Sequence, residues 1–300
     1  MRAMSRVCLA VDVGGTKIAA ALVDATGAVL ASARRPSEPA RGGAAVLADM
    51  IACMDGIERR GHDLVAVGVS AAGVIDPRAG VVADATDVMP GWKGQRLADA
   101  CATCFGVPVA CANDVHSALA GELWRNEALA GVRGAVVMLA LGTGLGGAIA
   151  VDGRLLAGAH FIAGHFGRTL VQHNGGAVTL DSLVSGTGLS NLYRELAHAE
   201  ADGPAVLARA GAGEAAAAAA LSAWLDYLAM TLHNIYWMLD PTLLIIGGGV
   251  IDSRAHWWSE LEARLAGLGG GPRLAPAILG SDAGVIGAAR LAWQSVEARA

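Results

Sequence analysis

Residues 9–32 read LAVDVGGTKIAAALVDATGAVLAS, and residues 137–158 read VMLALGTGLGGAIAVDGRLLAG. The two stretches share one plan. An apolar strand runs into a Gly/Thr turn, a second apolar strand follows, and a short Asp/Gly turn leads into a third. The outer turn is Asp24-Ala25-Thr26-Gly27 in the first copy and Asp152-Gly153 in the second. Such a repeat predicts two similar α/β halves, each led by one hairpin.

The inner turns carry the chemistry. Glycine lets backbone N–H groups come close to an anion, and threonine adds a hydroxyl donor. Gly14, Gly15 and Thr16 in the first copy, and Gly142, Thr143, Gly144 and Gly146 in the second, are therefore candidate phosphate contacts. Either turn alone could be a plain tight hairpin; the matched pair points to a polyphosphate held by both. Asp12 is read as the end of the first strand, where the second copy has the neutral Leu141. A single carboxylate beside phosphates suits Mg2+ bound through water. Lys17 is one of two lysines among 22 basic residues and directly follows the turn. It is read as a phosphate contact or as a solvated strand-end lysine.

Two further elements follow. Residues 221–239 have the pattern of an amphipathic helix, after which Leu243-Leu244-Ile245-Ile246 runs into Gly247-Gly248-Gly249. Side-chain-free backbone at a strand's carboxyl end can lie against a flat ligand such as adenine. Residues 107–114 read as a short strand ending in Asn113-Asp114, followed by a helix over 115–126. Asp114 is then either an N-cap or the base that deprotonates an attacking hydroxyl. The phosphate loops on either side of it in sequence favour the base.

Composition narrows the partners. The chain has 300 residues, 54% of them hydrophobic and 16% charged, enough to bury the cores of two domains. A net charge of −5 with no basic stripe argues against nucleic acid. The uncharged run 134–151 contains five glycines and reads as a glycine hairpin, not a membrane span, and the apolar run 7–13 leads into a glycine turn, unlike a signal peptide. Five cysteines without a secreted-type framework suggest a cytoplasmic protein. Cys101 and Cys104 have C-x-x-C spacing but lack a second pair, and read as buried helix thiols.

Taken in order, the motifs Asp12-Val13-Gly14-Gly15-Thr16-Lys17, Gly68-Val69-Ser70-Ala71-Ala72-Gly73, Asn113-Asp114, Gly142-Thr143-Gly144-Leu145-Gly146-Gly147, Gly247-Gly248-Gly249 and residues 279–289 (LGSDAGVIGAA) resemble the ROK family of repressors and sugar kinases. The resemblance implies a two-domain α/β protein of the actin-like ATPase, hexokinase-type fold, with its ligands in a cleft between domains. Residues 1–114 with about 282–300 would form the smaller N-terminal domain, holding the sugar and the first phosphate loop. Residues of about 115–281 would form the larger domain, with the second loop, the adenosine site and a homodimer surface. ATP and Mg2+ are the implied cofactors and Asp114 the implied base. Gly73, Asn113, Asp114, His165, Arg168 and Asp181 are the implied sugar contacts. The family's repressors carry a helix-turn-helix before the first loop; the eleven residues before Asp12 leave no room for one, which favours an enzyme.

The departures from the family pattern are specific. The usual G-E-x-G-H with its zinc-binding cysteines is here Gly164-His165-Phe166-Gly167-Arg168, with no cysteine between Arg168 and Gly186, so no zinc site is expected. His173 and Asn174 are read as an ordinary polar loop. His165 stands for the first sugar-contacting Glu, Asp181 for the later one, and Val88 for an Asn near Pro90-Gly91-Trp92. A histidine at that first position resembles bacterial N-acetylmannosamine kinases. The alternatives are a glucokinase or other hexokinase with an altered pocket, and a non-catalytic sugar or nucleotide sensor.

Overall fold

The computed structural model describes residues 4–298, which divide into two compact units, residues 4–131 with Ala157–Ile162 and residues 281–298, and Val132–Leu156 with Ala163–Gly280. The first unit contains, in order, β1 (Ser5–Val13), β2 (Lys17–Asp24), β3 (Val29–Pro36), α1 (Gly43–Asp55), β4 (His62–Ala71), β5 (Val74–Asp76), β6 (Val81–Asp84), α2 (Leu97–Phe105), β7 (Val109–Asn113) and α3 (Asp114–Arg125). The second contains β8 (Ala135–Leu141), β9 (Leu145–Val151), β10 (Arg154–Leu155), β11 (Leu170–His173), β12 (Gly176–Thr179), α4 (Gly186–Ala197), α5 (Gly203–Gly211), α6 (Ala215–Leu239), β13 (Leu243–Gly247), α7 (Trp258–Gly267) and β14 (Leu274–Pro276). The last helix, α8 (Ala283–Glu297), returns to the first unit.

The repeat in the sequence becomes a repeat in topology. One sheet is ordered β3-β2-β1-β4-β7 and the other β10-β9-β8-β13-β14. In each, the first two pairings in that order are antiparallel and the last two parallel. β8 and β13 are apolar throughout and β1 and β4 mostly so, because both faces are covered. On β1 the faces differ in kind: Leu9, Val11 and Val13 join a core with Val46 and Met50 of α1 and Leu97 of α2, while Cys8 packs with Ala292 and Trp293 of α8. Period-two alternation therefore puts Asp12 on the α8 face.

That face is built for close approach. An ideal Cβ on Gly68 of β4 would lie 2.0 Å from the Ala288 carbonyl oxygen, and one on Gly287 would lie 1.6 Å from that of Ser117. α8 is thus pressed against both β4 and α3. This contact keeps α3 with the first unit, past the boundary expected at residues 114/115. In the second unit, Trp224, Leu228, Leu232 and Ile235 of α6 pack with Leu139, Leu189, Leu192 and Ile246. α6 is long and apolar enough to span a membrane by length and composition, but this side of it is core. It begins at Ala215, six residues earlier than the apolar periodicity indicates, on a run of alanines of high helix propensity.

Candidate active site

In the first unit the first Gly/Thr turn closes with the Gly14 N–H donating to the Lys17 carbonyl at 3.0 Å. Gly15 and Thr16 are exposed at its tip between otherwise buried strands. β1 continues through Val13, one residue past its expected end, so Asp12 lies inside the strand, opposite Ala19. Val13, and not Asp12, matches Leu141 as the last residue before the turn. The Asp12 carboxylate accepts from the Ser70 hydroxyl at 2.5 Å. Gly284 at the start of α8 leaves it room: a Cβ there would stand 2.5 to 2.7 Å from the carboxylate atoms. Burial raises the Asp12 pKa, while the Ser70 bond and the Lys17 charge work against that rise. Lys17 donates from Nζ to the Ser281 carbonyl at 3.3 Å, and its charge acts on Asp12.

At the strand-to-helix junction the N-cap position is held by Asn113 and not by Asp114. Asn113 is the N-cap of α3, its Oδ1 accepting from the N–H groups of Val115 at 3.0 Å and His116 at 3.3 Å. Its amide donates to the Gly73 carbonyl at 2.8 Å. Asp114 is the first helical residue, and its carboxylate accepts from Val115 N–H at 2.9 Å and also bonds the Asn113 side chain and its own N–H. Burial pushes its pKa up to about 6, with the Asp12 charge adding to the rise. Two neighbouring carboxylates whose charged forms are disfavoured are a donor set that a hydrated divalent cation suits.

Gly73 is required by the backbone at its position. Its φ of 103° and the Asp84 carbonyl oxygen 2.7 Å from an ideal Cβ both demand glycine, and its own carbonyl is taken by Asn113. The neighbouring Ala72 carbonyl accepts from Trp92 Nε1 at 2.9 Å, which pins the Pro90-Gly91-Trp92 loop. Val88, in the same loop, is 69% exposed.

In the second unit the Gly142 N–H donates to the Gly144 carbonyl at 2.9 Å, a tighter turn than the first. Thr143 and Gly144 are exposed. Gly146 falls outside this turn; β9 begins at Leu145, and Gly146 pairs with Ala140 inside the sheet. Asp181 accepts a hydrogen bond from Leu145 N–H directly after the turn, and so braces it. The turn also receives the start of α4, with Gly186 N–H donating to Gly142 at 2.8 Å and Thr187 N–H to Thr143 at 3.3 Å. His165 is the N-cap and Arg168 the last residue of a 3-10 turn, Phe166–Arg168, packed against β9. A Cβ on Gly167 would meet the Leu145 carbonyl at 2.2 Å, and one on Gly147 the Gly164 carbonyl at 2.4 Å. The glycines of this motif thus seat the segment on the strand. His165 is partly buried and Arg168 exposed.

A cavity of about 740 Å³ opens beside the second turn, lined by Gly142, Thr143, Gly186, Gly203, Trp224 and Gly249 among others. Of the three consecutive glycines only Gly249 lines it. Gly247 faces inward, where a Cβ would lie 2.7 Å from the Met138 methyl. Gly248 has φ 81° and crosses the end of β8, with the Leu141 carbonyl 2.4 Å from an ideal Cβ. These two glycines shape the strand end. Sequence reading also missed Ser185 to Thr187 and Asp202 to Pro204, the helix starts on the cavity wall. Their signal was legible: Ser185 and Asp202 are N-caps standing just before glycines.

His173 departs from the polar loop expected of it. Its ring is largely buried and bonded to Tyr227 and Glu195.

The sequence model of the ROK family matches residues 8–295. The chain belongs to the ROK family. This ROK protein is 29% identical to a glucokinase of Halalkalibacterium halodurans, over 95% of this chain and 94% of that one. It is 32% identical to the bifunctional enzyme NanE/NanK of Brucella suis over 95% of its own length, but spans only 53% of that protein. Among solved structures it matches a ROK family glucokinase from Streptomyces griseus in complex with glucose and AMPPNP. That match has a TM-score of 0.79 at 27% identity and covers 96% of this chain and 99% of the other. The mixed α/β architecture is the actin-like ATPase fold of the ROK hexokinases.

Proposed function

We propose that this ROK protein is an ATP-dependent carbohydrate kinase, moving the γ-phosphoryl group of ATP onto the 6-hydroxyl of a hexose or N-acylhexosamine. One observation carries the reading. Asn113, not Asp114, is the N-cap of α3, and the Asp114 pKa of about 6 suits a base working near neutral pH. Asp114 accepts the hydroxyl proton as the sugar oxygen bonds to the γ-phosphorus and the bridging oxygen leaves with ADP. The rest of the protein's work is positioning and charge stabilisation, as loose phosphoryl-transfer transition states require.

Asp114, Asp12, Lys17 and the turn Gly14 to Thr16 belong to the first unit; the turn Gly142 to Gly144 and the cavity, which would take the nucleoside, belong to the second. Backbone N–H groups and the hydroxyls of Thr16 and Thr143 would bind phosphate oxygens. Mg2+ arriving with ATP neutralises phosphate charge, and Asp12 would hold it through water. The glucokinase structure with glucose and AMPPNP supports a sugar and a nucleotide as the ligand pair. A sensor has no need of a carboxylate with a raised pKa beside a second one, which favours the enzyme.

For the acceptor, we favour N-acetylmannosamine. His165 replaces a two-acceptor carboxylate with a ring whose N–H can face an acetamide oxygen, and Arg168 adds a fork of donors. Val88 offers exposed apolar surface for an acetyl methyl. The similarity to the glucokinase makes glucose the second candidate. Comparing kcat/KM for N-acetylmannosamine, N-acetylglucosamine and glucose in one coupled assay tests the assignment. N-acetylmannosamine should lead; a tenfold or greater lead for glucose would overturn it and leave the kinase reading standing.

A further inference from the structure

We propose that His173 is a positioning residue for the acceptor-binding segment of the second unit, a role that rests on the kinase reading above. The hairpin of β11 and β12 has strands of only four residues each and turns through Asn174 (φ 48°) and Gly175 (φ 80°). A two-stranded hairpin of this size is marginal by itself, so its docking decides where it sits. The docking group is His173, whose side chain is 14% exposed. Its Nδ1 lies 2.9 Å from the Tyr227 hydroxyl of α6 and its Nε2 lies 2.8 Å from Glu195 Oε2 of α4. With the proton on Nε2, the ring donates to the carboxylate and accepts from the phenol, so both nitrogens are satisfied. Asn174 adds a donation to the same Glu195 oxygen at 3.0 Å, and the His173 and Tyr227 rings meet edge-on at 5.8 Å.

The far end of this hairpin is where the candidate acceptor residues begin. Leu170 pairs with Thr179, and Leu180 N–H donates to the Thr169 carbonyl at 2.8 Å. Arg168 stands two residues before that pair and Asp181 two residues after it. Asp181 in turn holds Leu145 N–H at the exit of the second Gly/Thr turn, and α4, which carries Glu195, starts on that same turn. Fixing the tip therefore fixes the Phe166–Arg168 turn and Asp181 together. His173 touches none of the reacting groups and acts through these residues.

The test uses the full chain with His173→Ala, His173→Gln and Tyr227→Phe. In His173→Ala the KM for the sugar should rise about tenfold, the loss of roughly one positioned interaction, while the KM for ATP stays within about twofold. His173→Gln, which can still donate to Glu195 and accept from Tyr227, should recover most of the loss, and Tyr227→Phe should lose less than His173→Ala. Independently of activity, hydrogen exchange at residues 164–181 should quicken in His173→Ala while β1 to β3 stay unchanged. A lowered Tm with unaltered sugar KM and unaltered exchange would overturn the proposal. If the wild-type protein phosphorylates no sugar, the kinase reading fails, and the exchange measurement alone decides whether His173 holds the segment.

Discussion

Asp114→Asn should abolish turnover and, at neutral pH, make the protein more stable. The carboxylate's pKa is raised from 3.8 to about 6 by burial and by Asp12. A group raised in this way adds to stability only below its unfolded value, and the contribution is lost as pH climbs through the folded value. At pH 7 and above, the ionised Asp114 therefore costs the fold up to roughly 3 kcal/mol, at about 1.4 kcal/mol per pKa unit. Asparagine removes that cost with almost no change in shape. The Tm should rise by several degrees at pH 8, and the gain should shrink as pH falls from 6 towards 4. Turnover should fall by about two to four powers of ten, as expected when a general base is lost. For the wild type, kcat/KM should decline below pH about 6 as Asp114 becomes protonated. Thermal denaturation across pH 4–8 and a coupled ADP assay read both effects. If the variant lost about 1 kcal/mol of stability and kept its turnover, Asp114 would be a helix-end residue and the assignment would fall.

The other expectations concern the turns, the packing and the metal. Neither Gly15 nor Gly144 is left-handed, and nothing lies within 4 Å of an ideal Cβ on Gly15, so Gly15→Ala should fold normally and lose ATP affinity alone. Gly144→Ala should lose ATP affinity and also disturb the Asp181 brace, whose Oδ1 is 2.8 Å from the new methyl. Isothermal titration showing wild-type ATP binding in both variants would return these glycines to ordinary hairpin duty. Gly287→Ala puts a methyl 1.6 Å from the Ser117 carbonyl and should cost about 1–3 kcal/mol or more, seen as a lower Tm. Elemental analysis should find no stoichiometric zinc, since no cysteine lies between Arg168 and Gly186. One zinc per chain would refute that.

The duplicated hairpin was fully legible because strand, turn and strand leave a signal in a dozen consecutive residues. The matching order of the two sheets follows from it. What the sequence could not assign was the work of single residues at junctions. Asn113 and Asp114 are adjacent and both are good caps, so only the hydrogen bonds separate the cap from the candidate base. Gly247, Gly248 and Gly249 look alike in a string of letters, yet one faces the core, one crosses a strand end and one lines a cavity. Each of those fates depends on a partner more than a hundred residues away, or on a φ value, and neither is a property of the local sequence. His173 was missed for the same reason, since its partners Glu195 and Tyr227 lie on two helices that follow it.

The most direct test is to incubate the purified protein with γ-labelled ATP, magnesium and a panel of hexoses and N-acetylhexosamines, and to separate the products. Label should move to the 6-position of at least one sugar with one ADP formed per sugar phosphate, and Asp114→Asn should move none. ATP turnover that proceeds without a labelled sugar, or no turnover with any member of the panel, would contradict the account.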